Sequence, residues 1–127
     1  SEVLPPNTNL TAQRLDQIPY LRAVIKETLR MYPVVIGNGR CMTKDSVIAG
    51  YQIPRGTQIV FQHYVISNSE RYFSEPAKFL PERWLKTSLE KHHPFASLPF
   101  GYGRRMCLGR RFADLEIQTI IAKMIQA

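Results

Sequence analysis

The chain contains few cysteines, and their placement excludes several kinds of site. Cys41 and Cys107 are the two cysteines among its 127 residues, and no Cys-x-x-Cys pair occurs. Two widely separated cysteines do not provide the ligand set of a structural zinc site, nor the disulfide framework of a small secreted protein. The three histidines, His63, His92 and His93, show no competing ligand spacing. These absences fit a protein of a reducing compartment.

Long apolar runs, internal repeats and low-complexity segments are also absent from the sequence. No run approaches the roughly 18 apolar residues of a membrane span. Hydrophobic residues make up 44% and charged residues 21%, an ordinary balance that excludes a disordered tail. The chain starts at Ser1 without a signal peptide or an initiating Met, so we expect a piece of a longer protein.

Acidic residues are outnumbered by basic ones, and the formal net charge is +7. Such a charge suits nucleic acid, an anionic membrane or an acidic protein as partner. The basic residues are not interleaved with aromatic residues in a recognised nucleic-acid-binding pattern, so we expect no nucleic-acid partner. Their distribution along the chain favours an acidic protein.

Nine prolines and seven glycines divide the chain into short elements. Helical periodicity predicts two long helices, over residues 19–31 and 108–125. Pro19 suits a first helical turn, and Pro33 ends that helix after Tyr32. We expect the strands to form small antiparallel hairpins. The shorter predicted features are a loop over 1–19 with a turn capped by Thr11, a strand–turn–strand unit over 47–54, a strand over 57–61, a short helix over 64–67 and a turn-rich segment over 73–99.

The two predicted helices are amphipathic. The apolar face of the first consists of Leu21, Val24, Ile25, Leu29 and Tyr32, and its polar side carries Arg22, Lys26 and Arg30. The apolar face of the second includes Phe112, Leu115, Ile120 and Met124.

The most informative segment is the run Phe-Gly-Tyr-Gly-Arg-Arg-Met-Cys-Leu-Gly at residues 100–109. It places Cys107 between a glycine-rich turn and the start of a helix, where the helix dipole and arginines stabilise a thiolate. A thiolate held in this way is suited to axial ligation of haem iron, which favours O–O bond cleavage. Gly101 and Gly103 permit backbone angles that bring amides close to the sulfur, and amides tune a ligand's basicity.

Three other interpretations of this run are weaker. A dinucleotide-binding loop needs a third glycine where Met106 stands, and no strand leads into the run. Zinc needs further ligands. A plain buried cysteine is the commonest fate of a lone thiol, but it does not account for the surrounding glycines and arginines.

The run resembles the haem-binding loop of the cytochrome P450 family, the haem-thiolate monooxygenases. The match covers a phenylalanine, two glycines, an arginine, the cysteine and a final glycine in order. The resemblance implies an α+β fragment of the mainly α-helical P450 fold. It comprises a Glu-x-x-Arg helix, small antiparallel hairpins, a meander, the cysteine-ligand loop and the following helix. Residues 1–127 would form a single partial domain, the C-terminal haem-binding portion, with both ends of the protein missing.

Glu27 and Arg30 lie three residues apart on the first predicted helix. Taken alone, such a pair is most simply an exposed ion pair of little energetic value. In the family, a Glu-x-x-Arg pair joins an arginine from the meander in a buried charge network, and here Pro81-Glu82-Arg83-Trp84 supplies that arginine. The resemblance therefore assigns Glu27, Arg30 and Arg83 a structural role that supports the Cys107 loop.

The resemblance also implies haem b as cofactor, with Cys107 as ligand to its iron. Further cofactor contacts would come from Phe100, which shields the sulfur, Gly101, and Gly109, which leaves room for the ring. Arg105 and Arg40 would bind the haem propionates, although a solvated strand-edge arginine is the simpler interpretation of Arg40. The apolar residues Val34, Val35 and Ile36 resemble the segment that contacts an apolar substrate, for which a sterol-like lipid is a family-level example. Ordinary strand packing is also compatible with these residues.

Four basic residues are unfavourably placed for a purely structural role. Arg22 and Lys26 repel at a spacing of four residues, while Arg110 and Arg111 open a helix where its dipole disfavours cations. Charged solvated faces are nevertheless common. These positions look like the mitochondrial class of the family, which receives electrons from an acidic ferredoxin. That class implies the matrix side of the mitochondrial inner membrane, with membrane association through the missing parts of the protein.

The implied activity is insertion of one oxygen atom from O2 into an apolar organic substrate. The oxygen-activating helix of the family lies upstream of this region, so no catalytic residue is expected within the chain, and the chain alone should be inactive. Two alternatives stay open. One is a truncated product that acts only by protein contacts, and the other is a reductase-coupled enzyme of the endoplasmic reticulum, which an N-terminal apolar anchor would distinguish.

Overall fold

The computed structural model describes Pro5 and residues 9–127 of the chain. The loop predicted over residues 1–19 lies partly outside these residues. Its described end contains helix α1 (Ala12–Asp16), where the hydroxyl of Thr11 accepts a hydrogen bond from the N–H of Arg14 at 3.3 Å. The turn predicted after the Thr11 cap is therefore confirmed.

Helix α2 (Pro19–Met31) has the predicted bounds and buries two of its faces. On one face, Leu21 and Ile25 pack with Leu15 and Ala122 in the apolar core. On the other, Glu27 and Arg30 are fully buried. The assignment of Arg30 to the polar side is therefore wrong, because buried hydrogen-bond partners replace water around its guanidinium. Tyr32, predicted on the apolar face, is 68% exposed.

Four short strands form two antiparallel two-stranded sheets. They are β1 (Asn38–Cys41), β2 (Ser46–Ile48), β3 (Tyr51–Ile53) and β4 (Gln58–Phe61). β2 and β3 form the predicted hairpin, with Ile48 opposite Tyr51. Ala49 and Gly50 both have positive φ in its turn, as a type I′ turn requires.

The second sheet pairs β4 with β1, with Asn38 opposite Phe61. This pair is also antiparallel, but its two strands are not neighbours in sequence. Gly56 has a φ of +86°, and its N–H donates to the carbonyl of Met42 at 2.8 Å. This turn returns the chain to the end of β1. In sequence, the β2–β3 hairpin therefore lies between the two paired strands β1 and β4.

A short helix, α3 (His63–Ser67), follows β4. Beyond it, the turn-rich segment contains a 3₁₀ turn (Pro81–Trp84), and a second 3₁₀ turn (Gly103–Arg105) precedes the last helix, α4 (Arg110–Gln126). The predicted start of α4 at residue 108 is two residues too early, because Gly109 is its N-cap. Within the described residues, no helix combines the length and apolar character needed to cross a membrane.

The packing face of α4 differs from the prediction. Ile117, Ile121 and Ala122 face the core of this chain. The predicted apolar residues are exposed, namely Phe112, Leu115, Ile120 and Met124. The helix thus carries apolar side chains on more than one side.

Candidate functional site

A buried carboxylate, Glu27, lies at the centre of a hydrogen-bonded charge network. Arg30 donates from Nε to Oε2 and from Nη2 to Oε1, both at 2.9 Å. Arg83 donates from Nε to Oε1 at 3.2 Å. The indole of Trp84 donates to Oε2 at 2.8 Å and the N–H of Leu80 to Oε1 at 3.0 Å. Both carboxylate oxygens are therefore satisfied although the side chain has no exposed surface.

Arg30 also binds the backbone of two later segments. Its Nη1 donates to the carbonyl of Ser67 at 2.9 Å, at the end of α3. Its Nη2 donates to the carbonyl of Pro76 at 2.8 Å, in the irregular segment that follows. The guanidinium lies 5.2 Å from the ring centre of the buried Phe73. Arg30 thus joins α2, α3 and the turn-rich segment at one point.

Arg83 extends the network to a second carboxylate, that of Glu90. Its Nη1 lies 2.6 and 2.7 Å from the two carboxylate oxygens of Glu90, and its Nη2 donates to the carbonyl of Ser74 at 3.0 Å. The two arginine charges are thus matched by two carboxylates, which a buried ionic group needs. Sequence reasoning identified Glu27, Arg30 and Arg83 but missed Glu90.

The partners of the two carboxylates determine their ionisation. Burial raises the pKa of Glu27, but the hydrogen bonds from Arg30, Leu80 and Trp84 outweigh burial and leave that pKa below its ordinary value. Burial likewise raises the pKa of Glu90. The hydrogen bonds from Ser74 and the charge of Arg83 outweigh burial and leave the pKa of Glu90 below its ordinary value. Both groups are therefore anionic at neutral pH.

Cys107 lies on a sharp bend between the second 3₁₀ turn and α4. Gly101 and Gly103 have φ values of +73° and +75°, a left-handed conformation that side chains disfavour. Their bends let the N–H of Cys107 donate to the carbonyl of Phe100 at 2.8 Å. The thiol of Cys107 is exposed and forms no disulfide. The bend thus presents one free thiol just before a helix N-terminus.

Strand β1 supports this bend from one side. Asn38 packs against Gly101, since a Cβ built on Gly101 would lie 3.4 Å from the Asn38 side-chain nitrogen. That nitrogen lies 2.8 Å from Nε2 of His63. Burial and the charge of Arg40 lower the pKa of His63, so the ring is neutral at neutral pH and accepts from Asn38. Sequence analysis missed Asn38 because nothing in the sequence marks its pairing with the bend.

The two arginines predicted to bind propionates lie near each other. Arg40 donates from Nη1 to the carbonyl of Gly39 at 2.7 Å, and its Nη2 lies 3.4 Å from the carbonyl of Arg105. The side chain of Arg105 is exposed. The Arg40 guanidinium therefore lies next to the backbone of the bend that carries Arg105.

The four predicted partner-binding cations are only partly free. Arg22 forms an ion pair with Asp16, and Arg110 lies 3.8 Å from Asp114. The description of Arg22 and Lys26 as a repulsive exposed pair needs correction, because Asp16 offsets the charge of Arg22. Lys26 lies over the Trp84 ring at 5.6 Å.

Three of these four cations share one cavity. Arg22, Lys26 and Arg110 line a cavity of about 570 Å³ together with Trp84, Phe100 and Gly101. The cavity therefore lies between α2 and the start of the bend. Arg111 is not among its lining residues and is exposed.

The predicted substrate segment precedes β1, and its side chains are exposed to solvent. Val34, Val35 and Ile36 are 91%, 50% and 71% exposed. They lie in a bend before β1 begins at Asn38, so the interpretation as ordinary strand packing is wrong.

The residues around Cys107 fit a haem. In the part of the chain that the structure describes, no group of three metal-ligating side chains gathers, so Cys107 would be a single protein ligand. A porphyrin provides the other nitrogen ligands and needs such an axial thiolate. A Cβ built on Gly109 meets no atom within 4 Å, which leaves space beside the thiol for a flat ring. Arg40 and Arg105 supply cations that suit its carboxylates.

The comparison with family models agrees with this geometry. The model of the cytochrome P450 family matches residues 1–127. The chain therefore belongs to the cytochrome P450 family.

The chain is also similar to individual curated proteins of this family. A probable cytochrome P450 49a1 of Drosophila melanogaster is 57% identical over an alignment of 121 residues, and the match covers 88% of this chain and 20% of that protein. The probable mitochondrial cytochrome P450 301a1 of the same organism is 57% identical over 125 residues, 95% of this chain and 23% of the relative. The human mitochondrial sterol 26-hydroxylase is 51% identical over 113 residues, 86% of this chain and 21% of the relative. The chain thus spans about a fifth to a quarter of the length of these relatives.

Proposed function

We propose that this chain is the thiolate-bearing part of a haem-dependent monooxygenase and that Cys107 is the axial ligand of the haem iron. The observation that carries the proposal is the exposed Cys107 thiol on a bend made by two left-handed glycines. When bound, a haem ligated by cysteine thiolate supplies the chemistry that favours O–O bond cleavage. Residues 1–127 would then form a single partial domain, the haem-binding portion of the longer protein.

The other residues of the site have supporting roles in this proposal. Phe100, Gly101 and Gly109 shape the surface beside the thiol, while Arg40 and Arg105 bind the propionates. Glu27, Arg30 and Arg83 hold the segment that leads to the bend, since Arg30 binds the carbonyls of Ser67 and Pro76 and Arg83 binds Glu27 across long stretches of the chain. None of these residues transfers a proton to substrate.

The proposed substrate is an apolar small molecule that contacts Val34, Val35 and Ile36. The high exposure of these residues in this chain supports this assignment. One relative is named a sterol 26-hydroxylase, and a sterol-like lipid is therefore the substrate class to test first.

The proposed electron donor is an acidic ferredoxin, and the proposed location is the mitochondrion, on the matrix side of the inner membrane. Several relatives are named mitochondrial. The cations Arg22, Lys26, Arg110 and Arg111 would steer such a donor by charge.

The experiment that tests the ligand assignment uses the full-length protein that contains this segment. Its reduced carbon-monoxide complex should show the absorption typical of thiolate-ligated haem, and Cys107→Ala should remove it. Cys41→Ala is the matched control, because Cys41 is also an exposed free cysteine, and it should leave the spectrum unchanged. An unaltered spectrum in Cys107→Ala would contradict the proposal.

A further inference from the structure

The segment from residue 85 to residue 99 connects the buried charge network to the Cys107 bend without a helix or strand of its own. Outside local turns, the hydrogen bonds that join this segment to the rest of the described chain are made by Glu90 and His92. An irregular segment needs such anchors, because its backbone has no regular hydrogen-bond ladder.

Glu90 anchors the segment to the side chain of Arg83. Both of its carboxylate oxygens lie within 2.7 Å of Arg83 Nη1, and Oε1 also accepts from the N–H of Ser74 at 2.9 Å. The same guanidinium donates from Nε to Glu27. Arg83 therefore bridges the anchoring carboxylate and the central one.

His92 anchors the segment to the backbone of Arg83. Its Nε2 lies 3.2 Å from the carbonyl of Arg83, and because a carbonyl only accepts, Nε2 is the donor. Its Nδ1 lies 3.6 Å from Oε1 of Glu90. The ring stacks against Phe73 and Trp84 at centroid distances of 4.6 and 5.0 Å, and the side chain is 10% exposed. This burial distinguishes His92 from the exposed His93.

We propose that Glu90 and His92 are positioning residues that couple the Glu27 network to the segment carrying Cys107. His92 fixes the backbone of Arg83 while Glu90 fixes its guanidinium, so the start of the segment cannot shift without breaking both. The segment continues through the buried Ala96 to Phe100, whose carbonyl accepts the Cys107 N–H. The inference rests on the proposed function for what Cys107 binds, but the coupling itself is a property of this chain.

The test compares three variants of the haem-loaded full-length protein. His92→Phe keeps a ring against Phe73 and Trp84 but loses the Nε2 donor. His92→Gln places an amide N–H donor near the same position. Lys91→Gln is the control, because Lys91 is the exposed residue directly before His92.

Two measurements are made on each variant: the rate of haem loss to excess apomyoglobin, and amide hydrogen exchange in peptides covering residues 95–107. We expect both rates to rise about fivefold to tenfold in His92→Phe, the effect of one lost buried hydrogen bond. His92→Gln should stay within about twofold of the wild type, and Lys91→Gln should match the wild type.

The proposal is overturned if His92→Phe exchanges at the wild-type rate, or if His92→Gln is as fast as His92→Phe, since restoring an N–H donor would then not restore the wild-type rate. The exchange measurement does not depend on haem. If the wild-type protein lacks a thiolate-type carbon-monoxide spectrum, the proposed function fails, and the exchange comparison still decides the role of His92.

Discussion

Glu27 accepts hydrogen bonds from Arg30, Leu80, Arg83 and Trp84 while lying fully buried on α2. At the residue scale, this makes the carboxylate the group whose loss should matter most after Cys107. Its removal leaves two buried guanidinium groups without their shared anion.

We therefore expect Glu27→Ala in the full-length protein to abolish haem incorporation, since removing one partner of a buried network costs about 3–5 kcal/mol. The measurement is the Soret absorbance per mole of purified protein. Glu70→Ala, at an exposed glutamate, serves as control and should incorporate haem normally. A normal Soret band in Glu27→Ala would reject the structural role of the network.

The lowered pKa values of Glu27 and Glu90 predict a dependence of stability on pH. Because each carboxyl binds its proton more weakly in the folded than in the unfolded state, the stabilisation is present above the ordinary glutamate pKa. It is lost as pH falls through that value towards the lowered one.

The urea midpoint of the full-length protein should accordingly fall as the pH is lowered from about 5 towards about 3. Glu90→Gln removes one contributing group and should make this fall shallower, whereas Glu70→Gln should keep the wild-type slope. A pH profile of Glu90→Gln as steep as that of the wild type would show that Glu90 is not a contributor.

The sequence allowed some residues of the site to be predicted but not others. Cys107 was identifiable because glycines and arginines surround it at fixed spacing. Glu90 and His92 were not, because their partner Arg83 is seven and nine residues away in an irregular segment, where no periodicity indicates which side chains meet.

At the scale of elements, helix α2 has a buried side and an outer side that carry different charged residues. Its buried side contains Glu27 and Arg30, and its outer side carries Arg22 and Lys26. Asp16 pairs with Arg22, whereas Lys26 lies over a neutral indole. The two cations should therefore contribute unequally to the attraction of an anionic partner.

We expect Lys26→Gln to slow ferredoxin-driven reduction several-fold at low salt and to flatten its salt dependence, with a smaller effect for Arg22→Gln. Stopped-flow reduction at several ionic strengths measures both effects. Lys44→Gln, at an exposed lysine between β1 and β2, is the control. Unchanged kinetics in Lys26→Gln would count against α2 as the docking element.

Element boundaries followed the sequence where proline or a cap marks them. Pro19 and Pro33 delimit α2, and Thr11 marks α1. The pairing of β4 with β1 was not predictable from local pattern, because it depends on a return at Gly56 and on a partner strand about 20 residues earlier. The packing face of α4 was missed because apolar residues lie on several of its sides.

At the scale of the whole molecule, large apolar side chains are widely exposed. Leu108, Leu89 and Val34 are almost completely exposed, and Phe112 is largely exposed. Surface of this kind normally packs against other protein or a ligand. This agrees with a chain that spans about a fifth to a quarter of its relatives.

The 127-residue chain expressed alone should therefore bind haem weakly and bind the dye ANS more strongly per residue than the full-length protein does. Haem titration and dye fluorescence measure the two properties. Stoichiometric haem binding by the isolated chain, with a thiolate-type carbon-monoxide spectrum, would contradict this expectation.

The bond between Glu27 and Trp84 joins residues 57 positions apart. In a growing polypeptide, α2 is therefore synthesised well before the groups that satisfy its charges, and closing so long a loop has an entropic cost. The ion pair of α2 must remain hydrated on the ribosome until the later turn emerges. Assembly of this region therefore waits until the chain up to Trp84 has been synthesised, and during that interval its unpaired groups are exposed to aggregation or to chaperones.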